Sequence, residues 1–328
     1  PNEDDINQML QKIGKNSLDQ VFDHLPTDVL FTDFNFDQHL EREELQSHLK
    51  DIASKNKQNT SFLGDGLFQY KQMPVVAEVC NIRGLTTAYT PYQPERSQGT
   101  LQTLWIYQNL LAKITGFRAI NASLYERSTC LYEALNCAVR IHRKSNKVLV
   151  SSAIFPGDIE VLETLKQDTN LQIDFIEINH KTGKLDKELL TKKLQQNTYA
   201  GVAIPHINSF GVIEDIDELT TIINNASALV IAIAEITALS NNGLKEPSKW
   251  GLENEGADIL VAEGQHLTLS PNFGGPGLGV FGIRHDLKTK SYIRSTAGRF
   301  IGKTTDVLGN ECKTIVLSTR EQNIRREK

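Results

Sequence analysis

Apolar residues recur at three- and four-residue spacing through the N-terminal part of the chain: Ile6, Met9, Leu10 and Ile13, then Leu18, Val21 and Phe22. That period predicts amphipathic helices, with Ser17 placed to cap the second of them ahead of Leu18 and Asp19. Glu41 to Ile52 repeats the pattern with Leu45, Leu49 and Ile52 as its apolar stripe. Such a segment hardly buries itself, so residues 1–58 are expected as a helical arm that packs on the main domain or on a partner subunit. Further on, Leu101, Leu104, Trp105, Gln108, Leu111 and Ala112 share one face of a helix over Leu101–Ile114, ending at Gly116, which suits a C-terminal cap. A second helix is predicted over Ser128–Arg143, with Leu131, Ala134, Leu135, Ala138 and Val139 at helical spacing and Arg143 and Lys144 matching the dipole at its end.

From Lys147 onward the pattern changes. Branched apolar runs at Val148–Ile154, Leu171–Ile178, Ala200–Ile204, Leu229–Ala234 and Ile259–Ala262 alternate with helical stretches at Asp158–Gln167, Asp186–Gln195 and Ile216–Asn224. This alternation predicts an α/β domain with a mainly parallel sheet covered on both faces. The glycine-rich stretch Phe273 to Gly279 fails as a nucleotide fingerprint, because Val280 to Arg284 after it reads as a strand and not as a helix. Its glycines serve close backbone approach and positive φ.

Composition narrows the class. The chain has 328 residues, 39% hydrophobic and 23% charged, with a formal net charge of -5. That balance gives no electrostatic argument for nucleic acid or an anionic membrane. Cys80, Cys130, Cys137 and Cys312 lack zinc-ligand spacing and a disulfide framework, so no metal site and a reducing compartment are expected. Apolar runs such as Ala228 to Ala234 are far shorter than the ~20 residues that span a bilayer, and the start at Asn2 is acidic, so the expected location is the cytosol. A first residue other than Met and a stop in the charged run at Arg325 to Lys328 suggest processing or a cut end, with the natural protein expected to continue beyond residue 328.

Three segments carry candidate chemistry. In Tyr89 to Gly99, Pro91 and Pro94 fix their own φ angles and push Thr90 and Gln93 out of the helical region, predicting one extended shape. Tyr89, Tyr92, Gln93 and Glu95 then present fixed polar groups, unless the loop is only an elbow whose tyrosines cover a core edge. The connection Asn121 to Thr129, with Ser123, Tyr125, Ser128 and Thr129, precedes a helix and offers hydroxyls and amides for an anion; capping by Ser123 or Ser128 is the simpler account. His206 and Asn208 follow a predicted strand, at the edge where open α/β sheets bind ligands. One absence matters too: Lys245 and Lys249 are the only lysines between Gly243 and Arg284, and Glu263 to Ser270 contains none.

The order of these elements, including Asn179 to Asp186 before a helix and Gly211 to Asp215 after the next strand, resembles the large domain of fold-type I pyridoxal-phosphate enzymes. More narrowly it resembles the P-protein family of the glycine cleavage system, in its separate subunit 1 form. The matching motifs are Thr60-Ser61-Phe62-Leu63-Gly64, Thr87 to Glu95, Glu263-Gly264-Gln265, Phe273-Gly274-Gly275-Pro276 and Thr319 to Lys328. The resemblance implies a large domain over residues 59–298 and the start of a truncated C-terminal small domain over 299–328. It implies glycine decarboxylation on pyridoxal 5'-phosphate and aminomethyl transfer to the lipoyl group of H-protein. Where the family's catalytic member has His-Lys-Thr, this chain has Gly264-Gln265-His266-Leu267, so the Schiff-base lysine is lost. The pyridinium-binding Asp is also missing, Glu235 being an approximate substitute. Both losses imply that the partner, P-protein subunit 2, carries the cofactor covalently. The resemblance further implies that Tyr89 and Tyr92 reach into the partner's site; Ser123, Tyr125, Ser128, Thr129, His206, Asn208 and Gln265 are the candidates for a substrate or cofactor pocket in this chain. One departure is Tyr125-Glu126-Arg127-Ser128-Thr129, where the family has Tyr-Asp-Gly-Ala-Thr, so Arg127 stands in place of a glycine.

Overall fold

The structure, a computed structural model, describes residues 1–30, 39–57, 59–60, 62, 72–240, 243–269 and 274–316. Ser61, Leu63, Gly64, Ser270, Phe273 and the tail Thr319 to Lys328 therefore lie outside the described residues. The chain separates into two units, Pro1–Phe62 and Leu63–Lys328.

In the first unit, helix α1 (Glu3–Lys12) opens with a reciprocal cap: the Asp5 amide donates to the Asn2 side chain and the Asn2 amide to the Asp5 carboxylate. Helix α2 (Arg42–Ser54) starts with the Glu41 amide donating to Glu44, and Leu45, Leu49 and Ile52 are exposed on it. Between them, the helix expected after Ser17 is only a 3-10 turn at Asp19–Phe22, and Leu18 rather than Ser17 holds its cap position. Pro26 stops the run soon after, and the polar anchoring comes from Gln20, which accepts from the Asn16 amide at 2.7 Å.

The second unit begins with α3 (Val75–Cys80) and α4 (Gln98–Thr115), the latter closed by Gly116 at φ 74° as its sequence predicts. There follow β1 (Ala119–Ile120), α5 (Arg127–His142), β2 (Lys147–Ser151), α6 (Pro156–Leu165) and β3 (Gln172–Ile176). A small ribbon, β4 (Ile178–Asn179) with β5 (Lys184–Leu185), leads into α7 (Lys187–Gln196), β6 (Gly201–Pro205), α8 (Ile216–Asn225) and β7 (Leu229–Ala234). The chain then adds β8 (Ile259–Glu263), β9 (Gly279–Ile283) and a hairpin of β10 (Phe300–Thr305) and β11 (Glu311–Val316).

The main sheet runs β1-β9-β8-β7-β6-β2-β3, with β3, β2, β6, β7 and β8 parallel and β9 and β1 antiparallel to their neighbours. Alternate strand residues feed two cores. Leu149, Val202, Val230 and Leu260 pack with Leu219 and Ile223 of α8, whereas Val150, Ala203, Ile231 and Val261 pack with Leu131, Ala134 and Leu135 of α5. Both faces are covered, which is why these strands read as unbroken apolar runs. The first two are shorter than their runs, ending at Ser151 and Ile176, and Ile178 belongs to the small ribbon.

Two local expectations fail for identifiable reasons. Helix α5 is capped by Glu126, whose carboxylate accepts from the Thr129 amide at 2.8 Å, and neither Ser123 nor Ser128 caps it. Its C-terminal end turns at Arg143 with φ 61°, and Arg143 Nε also donates to the Arg140 carbonyl at 3.4 Å, so the residue closes the helix through both backbone and charge. The Tyr89 to Gly99 loop is not extended throughout: the Arg96 and Ser97 amides both donate to the Gln93 carbonyl at 3.0 Å, folding its second half into a turn that enters α4. Restricting Gln93 before a proline fixes its ψ but does not prevent its carbonyl from accepting a turn bond.

The β10–β11 hairpin lies along α4, where two glutamines act as strand partners. Gln98 exchanges a pair of bonds with the backbone of Lys313, and buried Gln108 does the same with Ile301. Trp105 lies between them, with Lys303 and Lys313 ammonium groups 5.7 and 5.3 Å from its ring.

Candidate functional site

The carboxyl ends of the parallel strands gather the candidate chemistry on one edge. Helix α5 starts over that edge, α6 starts just after β2, and the return into β9 passes beside both. The return comes close because it is glycine: a Cβ on Gly277 would lie 2.7 Å from Glu126 Cβ, and one on Gly279 would lie 2.7 Å from the Glu126 carbonyl oxygen. The glycine-rich stretch thus serves close approach, and Leu124 and Gly279 exchange backbone bonds at 2.8 and 3.1 Å.

Glu263, the last residue of β8, ties this edge together. One carboxylate oxygen accepts from the Gly264, Gln265 and Leu278 amides at 3.1, 2.8 and 2.8 Å, and the other from the Arg127 amide at 3.1 Å. Arg127 then turns its side chain away to Asp158 of α6, with Nε and Nη2 donating at 2.9 and 3.1 Å to the two carboxylate oxygens. Ser128 Oγ donates to the same carboxylate at 2.5 Å, and the guanidinium lies 4.5 Å from the Phe155 ring. The Asp158 side chain is 2% exposed, so this is a buried charge satisfied from two sides. Sequence reading missed the partnership, because Asp158 is 31 positions from Arg127 and reads locally as an ordinary helix-start residue.

The negative charge is felt nearby. Burial, followed by Glu126 and Glu263, pushes the Cys130 thiol well above its ordinary range. Burial, Cys130 and Glu263 do the same to the Tyr107 hydroxyl. After β7, Glu235 accepts from Thr237 and lies 2.8 Å from His266 Nε2. Burial pushes the Glu235 carboxyl up, and the bonds from His266 and Thr237 together outweigh it, leaving the group below its ordinary range.

His206 and Asn208 follow β6 and are both 2% exposed. Asn208 spends its amide on the loop: Nδ2 donates to the Gly183 carbonyl and to Glu214, and Oδ1 accepts from the Phe210 and Val212 amides. Burial pushes the Glu214 carboxyl up despite the bonds from Asn208 and the Leu185 amide. His206 packs edge-on against Trp250 with ring centroids 5.1 Å apart, and burial pulls its pKa down to about 4. It is therefore a neutral buried imidazole. An unfolded histidine takes up its proton near 6.5, so stability is full above that value and is lost as pH falls toward 4. Relative to His206→Phe, which keeps the ring contact, the wild type is expected to lose about 2 kcal/mol between about pH 7 and about pH 5. Urea melts at the two pH values check this, and equal pH dependence in both proteins would refute it.

The tyrosines lie on the surface. Tyr89 is 99% exposed and Tyr125 83%, while Tyr92 has the Arg299 guanidinium 5.9 Å from its ring. Tyr89 follows a pinned residue: the Thr100 hydroxyl of α4 donates to the Ala88 carbonyl at 3.1 Å and accepts from its amide at 3.4 Å. The Thr87 hydroxyl accepts from the Gly99 and Thr100 amides, and the Thr103 hydroxyl donates to the Leu85 carbonyl. Ser128, Thr129, Tyr125 and Gln265 are brought to one place around Glu126 and Glu263, with Ser123 just upstream at φ 88°. Tyr92 is joined to this segment through Arg299, whose carbonyl accepts from the Ala122 amide at 2.6 Å and whose Nη2 donates to the Tyr92 hydroxyl at 3.4 Å. No cluster of metal-binding side chains occurs among the described residues, and no described helix is long and apolar enough to cross a membrane.

A mainly parallel sheet with helices on both faces and polar groups gathered at its carboxyl edge is the large domain of the pyridoxal-phosphate-dependent transferase fold. The whole chain, residues 1–328, matches the glycine cleavage system P-protein family, and the protein belongs to it. Among its relatives is a probable glycine dehydrogenase (decarboxylating) subunit 1 of Francisella tularensis subsp. novicida, 35% identical over 98% of this chain and 69% of the relative. The protein of the same description from Bacillus cereus strain B4264 is 36% identical over 99% of this chain and 70% of its own length. A crystal structure of glycine decarboxylase (P-protein) of the glycine cleavage system, in inhibitor-bound form, superposes with a TM-score of 0.79 at 30% identity, covering 99% of this chain and 70% of that one.

The edge does not fit a phosphate-bearing cofactor held by this chain. Two of the first three amides of α5 are bonded to carboxylates, Glu235 is bonded to His266 and Thr237, and residues 264–269 include no lysine.

Proposed function

We propose that this chain is the cofactor-free subunit of a two-subunit bacterial glycine decarboxylase that works in the cytoplasm as a heterotetramer with P-protein subunit 2. The partner holds pyridoxal 5'-phosphate on its own lysine. Bound there, the cofactor supplies the electron sink for the charge left when glycine loses carbon dioxide, before the aminomethyl group passes to lipoylated H-protein. On its own, the chain is expected to be inactive. The start of a C-terminal small domain over 299–328 and the helical arm over 1–58 complete the proposed organisation.

In this reading Tyr89 and Tyr92 complete the partner's site. The observation that carries it is Tyr89, 99% exposed yet attached to a backbone fixed through both polar groups of Ala88. An exposed aromatic hydroxyl on a fixed stem is suited to orienting the glycine carboxylate and excluding water from the reacting carbon. Tyr92, stacked by Arg299, adds a second hydroxyl beside a positive charge.

Substituting Tyr89→Phe in the purified two-subunit complex is expected to lower decarboxylation and carboxyl exchange about tenfold, the loss of one oriented hydrogen bond, with assembly and cofactor content unchanged. Unchanged rates in an intact assembly would favour the other reading, a catalytically silent scaffold that only stabilises its partner.

A further inference from the structure

The N-terminal end of α5 is where a helix can offer backbone amides and its dipole to a phosphate. Here the chain fills that place itself. Glu126 Oε2 takes the Thr129 amide at 2.8 Å and Glu263 Oε2 takes the Arg127 amide at 3.1 Å, while the Cys130 amide donates within the helix to the Glu126 carbonyl. The Arg127 guanidinium, the nearest cation among the described contacts, is committed to Asp158, whose second oxygen also holds Ser128 Oγ. The three carboxylates exceed the one guanidinium by two charges. The Gly277 and Gly279 backbone closes over Glu126, and Gly277 Cα also lies beside Glu263, whose Oε2 would be 3.4 Å from an added Cβ.

We infer that Glu126 and Glu263 act as a built-in anion at the start of α5, so that this chain binds neither a phosphate-bearing cofactor nor free phosphate there. An incoming phosphate would have to displace two carboxylates from their amides and enter a locally negative field, and neither is offset by a free cation in the described contacts. The same bonds hold the α5 entry, the turn after β8 and the return into β9 as one piece. The edge is therefore held by the chain's own groups. Only the choice of a pyridine phosphate as probe rests on the family reading, so failure here would leave the partner-site role of Tyr89 standing.

The test uses the full-length chain with inorganic phosphate and with pyridoxal 5'-phosphate, followed by titration calorimetry at matched ionic strength. The wild type is expected to give no saturable heat with either probe up to about 10 mM. In Glu126→Ser/Glu263→Gln the serine still caps the helix and the glutamine oxygen still accepts amides, while both charges are gone. That variant is expected to bind phosphate saturably, at least about tenfold more tightly than the wild type. Saturable wild-type binding of either probe below about 1 mM would overturn the inference. So would a variant with native circular dichroism that gains no phosphate affinity. If the variant does not fold, the wild-type titration alone still decides.

Discussion

Replacing Arg127 by alanine is expected to cost the chain about 3–5 kcal/mol of folding stability, because it strands a buried charge. The Asp158 side chain is 2% exposed, and its two strong donors, guanidinium Nε and Nη2, come from Arg127 alone. The Ser128 hydroxyl remains, yet a hydroxyl cannot offset a full negative charge away from water. The loss should be smaller in Arg127→Met/Asp158→Leu, where no charge is left behind and apolar volume replaces the pair. Urea unfolding of the two variants and the wild type separates these cases. A single variant less than about 1 kcal/mol below the wild type would mean that water reaches Asp158.

How far the sequence carried this picture depends on the range of the interactions. The parallel sheet was legible because Leu229–Ala234 and the other strands are buried on both faces, and burial of that kind leaves unbroken branched runs. Helix α4 and its Gly116 cap were legible for the same local reason, an apolar stripe ending in a residue free to turn left-handed. The site was harder. Proximity makes Ser123 or Ser128 the simpler candidate for the cap beside an anion site, but the cap is Glu126, and Ser128 bonds to Asp158 on another helix. Glu263 stood in a recognised motif, while its role as an anchor for four amides depends on segments that meet only in the folded chain. Asn208 follows β6, and nothing nearby in sequence announces that the Gly183 carbonyl takes one of its protons. Contacts between distant segments leave no period to read.

The Tyr89 stem supplies the other large effect, and here the expected sign opposes helix propensity. Glycine to alanine in a helix ordinarily gains about 1 kcal/mol. Gly99→Ala in α4 is instead expected to lose about 3 kcal/mol, because the new Cβ would overlap the Gly84 carbonyl oxygen and lie 2.7 Å from Thr87 Cγ2. Backbone cannot yield as a side-chain tip does, so residues 84–88 must move off the helix. The Thr87 hydroxyl then leaves the Gly99 and Thr100 amides, and Ala88 loses both bonds to Thr100. Tyr89 keeps its hydroxyl but loses its fixed stem. In the two-subunit complex the rate should therefore fall about a hundredfold, more than when the hydroxyl alone is removed, since a displacement of about 1 Å disables a positioning group and its surroundings together. Thr100→Val, which removes the bonds to Ala88 without a clash, should fall between Gly99→Ala and the wild type in rate, with a smaller change in the urea midpoint. If Gly99→Ala is as stable as the wild type and as fast in the complex, the stem does not position Tyr89 and the tyrosine's exposure has another cause.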